Sequence, residues 1–80
     1  MQVYPNPTNG LFELSFNASA TQNYKVTVLN TLGEIVYEYQ LNDFAGEHKR
    51  MIDLSTLSKG VYVINVSSPT KNVMRKITVY

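Results

Sequence analysis

The feature that most constrains this chain is a side-chain alternation of period two, cut repeatedly by turn residues. Successive side chains of an extended strand point to opposite faces, so such alternation describes strands with one face buried and the other wet. Leu11 to Phe16 sets Phe12, Leu14 and Phe16 against Glu13 and Ser15, and Tyr24 to Leu29 sets Tyr24, Val26 and Val28 against Lys25 and Thr27. Glu34 to Leu41 groups Ile35, Tyr37, Tyr39 and Leu41, with Val36 opposite, and leaves open which face turns inward. His48 to Leu54 alternates more weakly, and Val61 to Val66 is almost wholly apolar and β-branched, as in a central strand. Asn72 to Tyr80 sets Val73, Ile77 and Val79 against Lys76 and Thr78. Arg75 interrupts the apolar row, so it has to snorkel or lie near a sheet edge. Val3-Tyr4 makes a seventh segment, which Pro5 and Pro7, lacking amide donors, confine to an edge or end at once.

Glycines punctuate these runs. Gly10 closes Pro5-Asn6-Pro7-Thr8-Asn9-Gly10, Gly33 follows Asn30-Thr31-Leu32, and Gly46 and Gly60 precede further extended runs. Only Leu54 to Lys59 is suited to a helical turn. Seven short strands without an amphipathic helix predict an all-β fold, an immunoglobulin-like antiparallel β-sandwich. Tyr62, at the start of the sixth segment, has the place of the corner tyrosine whose hydroxyl returns to an upstream backbone group in such sandwiches. Leu54 and Leu57 are expected beneath that corner.

Composition narrows the function. Eighty residues make one domain, 1–80, and an apolar share of 44% is enough for a single core. No cysteine is present to supply a disulfide or thiolate metal site, so hydrophobic packing has to hold the fold. A formal charge of +1 provides no field for nucleic acid or anionic lipid, and no apolar run is long enough to span a bilayer as a helix. Met1-Gln2 runs straight into a strand-and-turn pattern without a signal peptide, which reads as the tail excised from a longer chain.

Reactive constellations are missing. The one histidine, His48, lies between Glu47 and Lys49 without a nucleophile elbow nearby, and reads as a solvated strand-edge residue. The acids lack metal-ligand spacing, and Glu34 and Glu38 fall on one strand face as solvated carboxylates do. Tyr37 and Tyr39 share a face and suggest a stacking platform for sugars or bases, but sheet packing is the commoner use of such tyrosines, and no basic residues interleave with them. Lys71, Arg75 and Lys76 form a small basic group near the end. The sequons at Asn17 and Asn65 carry no weight, the second lying inside a strand. No catalytic residue, cofactor or metal is expected.

Four motifs, in order, resemble one family. Val3-Tyr4-Pro5-Asn6-Pro7-Thr8-Asn9-Gly10 resembles the opening of the type A C-terminal sorting domains of Bacteroidota type IX secretion. Asn30 to Val36 resembles their second element, with Glu34 where a basic residue is common. Asp53 to Val66, containing Leu54, Leu57, Gly60 and Tyr62, resembles the third and most distinctive. Arg75-Lys76-Ile77-Thr78-Val79-Tyr80 resembles the close, with Thr78 and Tyr80 in place of a more usual apolar or lysine finish.

The resemblance implies a non-catalytic signal at the end of a cargo protein. It would pass through the periplasm, be recognised by the outer-membrane translocon and its shuttle protein, and be cut off upstream by a sortase, leaving the cargo on the surface or outside the cell. Tyr4 to Gly10 and Lys76 to Tyr80 are the expected recognition segments, because edge strands can accept a partner strand. Gly10, Gly33 and Gly60 are better explained by turn geometry. Unpaired edges would also permit a weak edge-strand dimer. The alternative from another class is a carbohydrate-binding or adhesive module.

Overall fold

A computed structural model describes residues 1–80 and contains five strands and no helix. They are β1 (Gln2–Tyr4), β2 (Leu11–Leu29), β3 (Ile35–Asp53), β4 (Gly60–Ser67) and β5 (Asn72–Val79). The all-β expectation holds, while the strand count falls from seven to five. The merged segments are Leu11–Phe16 with Tyr24–Leu29, and Glu34–Leu41 with His48–Leu54. The reason is local. Between Phe16 and Tyr24 there is no glycine or proline, so nothing forces a reversal, and irregular pairing around Ala18, Gln22 and Tyr24 bends the strand instead. Across from it, Asp43 (φ 49°) and Gly46 (φ 101°) carry β3 through the same bend, and the Asn23 side chain accepts from the Asp43 amide at 2.9 Å.

β1 pairs with the first half of β2, β3 flanks β2 along both halves, β4 pairs with the second half, and β5 pairs with β4, all antiparallel. The sheet therefore curls about the β2–β3 bend and brings its halves together. Phe12, Leu14 and Ile52 from one half share a core with Val26, Val28, Ile64 and Ile77 from the other, and all of these are fully buried. Each such side chain contributes roughly 1.5–3 kcal/mol through burial.

A bulge at Val28/Leu29 settles the Ile35–Leu41 ambiguity. It turns both Val36 and Tyr37 toward the core, together with Tyr39 and Leu41, while Ile35 is left 56% exposed. Tyr62 is buried and its hydroxyl donates to the Ser58 carbonyl, closing the expected corner. Leu54 is buried in the core. Leu57, which was expected beneath the corner too, sits on the turn after Leu54 and is exposed, because the Leu57 amide bonds back to the Leu54 carbonyl at 3.0 Å and leaves its side chain outside.

Candidate functional site: the joined opening and closing motifs

The turn after β1 does not stand free. Asn6 behaves as a short piece of strand, its amide nitrogen donating to the Lys76 carbonyl at 2.9 Å and its oxygen accepting from the Thr78 amide at 3.2 Å. Two residues on, the Thr8 amide donates to the Thr78 carbonyl and the Thr8 carbonyl accepts from the Tyr80 amide, both at 2.9 Å. Thr8 thus forms a parallel bridge with Val79. The opening and closing segments, more than sixty positions apart in sequence, are one paired unit.

Thr8 is 1% exposed, unusual for a hydroxyl residue, and its burial is compensated. The hydroxyl donates to the Leu11 carbonyl at 2.6 Å and accepts from the Gly10 amide at 3.1 Å. Gly10 has φ 122°, and a Cβ on it would lie 2.6 Å from Ser55 Cα, so this position requires glycine both for its backbone and for the approach of the β3–β4 turn. The Gly10 carbonyl accepts from the Leu54 amide at 2.7 Å. Prolines 5 and 7 lie in the exposed loop, each after a cis peptide bond.

The candidate recognition residues divide by exposure. Tyr4 and Tyr80 are 75% and 64% exposed, and Pro5, Asn6, Pro7 and Lys76 also face solvent. Ile77 and Val79 point into the core and act by holding β5 in place. Gly33, Leu57 and Gly60 lie elsewhere, beside an open groove between the β2–β3 turn and the Tyr62 corner. In that turn the Asn30 side chain accepts from the Leu32 and Glu34 amides, each at 3.0 Å, and donates to the Glu34 carboxylate at 2.8 Å. Glu34, at a position where a basic residue was the expected type, therefore stabilises its own turn.

One surface expectation is corrected. His48 lies on the edge strand β3, as expected, but is only partly solvated. The register sets it opposite Phe16, and the bend gathers Phe16, Tyr24, Tyr39, Phe44 and His48 into an aromatic cluster. His48 Nε2 and the Tyr39 hydroxyl share a 2.8 Å hydrogen bond. Burial, reinforced by the Arg50 charge, lowers the His48 pKa, while burial pushes the Tyr39 phenol up to about 12. Tyr37 and Tyr39 pack against the sheet, the commoner use of such tyrosines, rather than making an exposed stacking pair. Both turn toward the core, and the Arg50 guanidinium covers the Tyr39 ring at 4.0 Å from its centre. The sequence signal for this cluster was the spacing of Phe16, Tyr24, Tyr39, Phe44 and His48 around the bend, which becomes readable only with the register.

Ionisable side chains elsewhere are dispersed. Lys25 pairs with Glu38 at 3.2 Å and Lys49 with Glu47 at 3.4 Å, both on the surface. No group of three or more His, Cys, Asp or Glu side chains comes together. No helix is long and apolar enough to cross a membrane.

The fold is thus a curled all-β domain whose first and last motifs are bonded to each other, with its ionisable groups spread over the surface. The family of secretion system C-terminal sorting domains matches the chain over residues 2–80, and the chain belongs to that family, the sorting signals of type IX secretion. Membership implies dealings with the secretion machinery and a cargo chain, and export to the cell surface or the extracellular space. A search of the curated proteins finds no match.

Proposed function

We propose that residues 1–80 are the single C-terminal sorting domain of a longer cargo protein, a non-catalytic address read during type IX secretion. In this reading the cargo passes through the periplasm, the outer-membrane translocon and its shuttle protein bind the folded domain, and a sortase then cuts upstream of it. The observation that carries the reading is the union of the opening and closing motifs. The Asn6 and Thr8 bonds to Lys76, Thr78 and Tyr80 make one epitope from two ends of the chain, with Tyr4 and Tyr80 exposed beside it. Recognition of such a composite depends on folding, because neither segment holds its shape without the other.

A fluorescent protein carrying these residues at its C-terminus, sent to the periplasm of a host with type IX machinery, tests the proposal. Fluorescence is expected on the surface or in the medium, and retention in the periplasm would overturn the sorting role. The polysaccharide-binding alternative draws less support, since the Arg50 guanidinium lies over the Tyr39 ring.

A further inference from the structure

We infer that the seam between β1 and β5 is a strand-acceptor site for an acidic, extended segment of a partner protein. The inference deepens the sorting reading, on which it rests for the biological setting, by stating the chemistry of what binds.

The backbone directions follow from the registers. Thr78 turns its amide and carbonyl toward Asn6 and Thr8, away from β4. In an antiparallel pair both backbone groups of a residue point to the same side and alternate along the strand. Met74 and Lys76 therefore also direct their backbone groups away from β4, and β5 pairs with β4 without a bulge. The same logic applies to β1. The bond from the Leu54 amide to the Gly10 carbonyl fixes the β2–β3 ladder, so Phe12 and Leu14 bond to β3, while Glu13 and Ser15 bond to Tyr4 and Gln2. Val3 is left facing outward, away from β2.

Asn6 and Thr8 cover the outer edge of β5 only from the Lys76 carbonyl onward. Ahead of that point β5 has no neighbour, and across the seam β1 has none either; Gln2, Val3, Tyr4, Asn6, Arg75 and Lys76 line an open groove between them. The groups left in it are unbalanced. The outward carbonyl of Met74 is already taken by Arg75 Nη1 at 2.9 Å, and that of Lys76 by Asn6. The amides of Val3, Met74 and Lys76 have no such partner. The seam thus presents more free donors than acceptors. Its charges have one sign, since β1 and β5 contain no acid, and Arg75 and Lys76 flank the groove.

The other long edge is different. β3 carries both signs, with Glu47 paired to Lys49 on the strand itself and Glu38 paired across to Lys25 of β2, as protected edges do. A strand entering the β1–β5 seam gains amide donors at strand spacing, and acidic side chains on it meet Arg75 and Lys76. A nucleic acid would meet the same charges but has no use for amides repeating at the spacing of a strand.

Amide chemical shifts of the full 80-residue chain, titrated with an acetylated octapeptide alternating Glu and Val, test the inference. Saturable shifts are expected at Gln2–Tyr4 and Asn72–Lys76, with affinity falling as salt is raised. The exposed double substitution R75E/K76E should weaken binding by about tenfold or more and favour the matching Lys-Val octapeptide. Absence of saturable shifts, shifts centred on β3, indifference to charge reversal, or equal binding by a proline-interrupted acidic peptide or by heparin oligosaccharide would each overturn it. Fold retention in the variant is read from the same spectra. Failure here leaves export of the fluorescent fusion untouched, whereas lost export with intact peptide binding would sink the sorting reading alone.

Discussion

The two ends of the curled sheet are closed by different physics. At the motif end, irregular backbone is held by directional hydrogen bonds. The Asn6 side chain and the Thr8 backbone complete the β5 edge, the Thr8 hydroxyl serves Gly10 and Leu11, and Tyr62 reaches Ser58. At the bend, Phe16, Tyr24, Phe44 and His48 lean on one another with ring centres 5.2–6.4 Å apart, and all but Tyr24 remain partly exposed. Hydrogen bonds in a buried turn are directional and leave orphaned groups when one partner is removed. Aromatic contacts are less demanding and can relax. The motif end should therefore be the intolerant one, and it is also where the sorting motifs lie.

Outside the fully buried core, the largest effect should come from the motif glycine. Gly10→Ala sets a Cβ against Ser55 backbone at an unfavourable φ and should cost about 3 kcal/mol or more. Gly33→Ala, with open space around it and φ 81°, should cost only about 1–2 kcal/mol. Urea unfolding of both variants gives the difference; equal losses would mean that the close approach to Ser55 does not matter.

Next in size is the aromatic bend. Phe16→Ala removes a half-buried ring and should destabilise by about 2 kcal/mol, less than the about 3–5 kcal/mol expected for fully buried Phe12→Ala. A Phe16 loss as large as that of Phe12 would make the bend as rigid as the core and break the contrast. Tyr62→Phe, which deletes only the bond to Ser58, should cost about 1–2 kcal/mol in thermal or urea melts.

The smallest effect is a pH dependence confined to the bend. The His48 pKa is lowered in the folded chain, so its contribution to stability is complete above the unfolded value, about 6.5, and is lost as pH falls through that value toward the lower folded one. Urea midpoints between pH 7 and 5 should fall for the parent chain and fall less for His48→Phe. Identical slopes would show that the cluster does not sense the proton.

Legibility followed the same division. The strands Leu11–Phe16, Val61–Val66 and Asn72–Tyr80 were readable because a half-buried strand writes its two faces into every second residue. The Tyr62 corner was readable from its place after a turn. The joining of Asn6 and Thr8 to β5 was not, since a single polar side chain acting as backbone and a one-residue bridge have no period, and their partners lie far along the chain. The partial burial of His48 was not readable either, because its neighbours in sequence are charged while its neighbours in space are aromatic.

The sequence by itself determined an all-β domain, the apolar rows of its core and its family, each of these being carried by local alternation or by motifs in order. Only the tertiary structure decided that seven segments become five strands, that two ends of the chain form one edge, and that a basic seam beside it stays unpaired. Those outcomes depend on which strand edges meet after the sheet curls, and edge pairing is a contact between distant residues that no local pattern encodes.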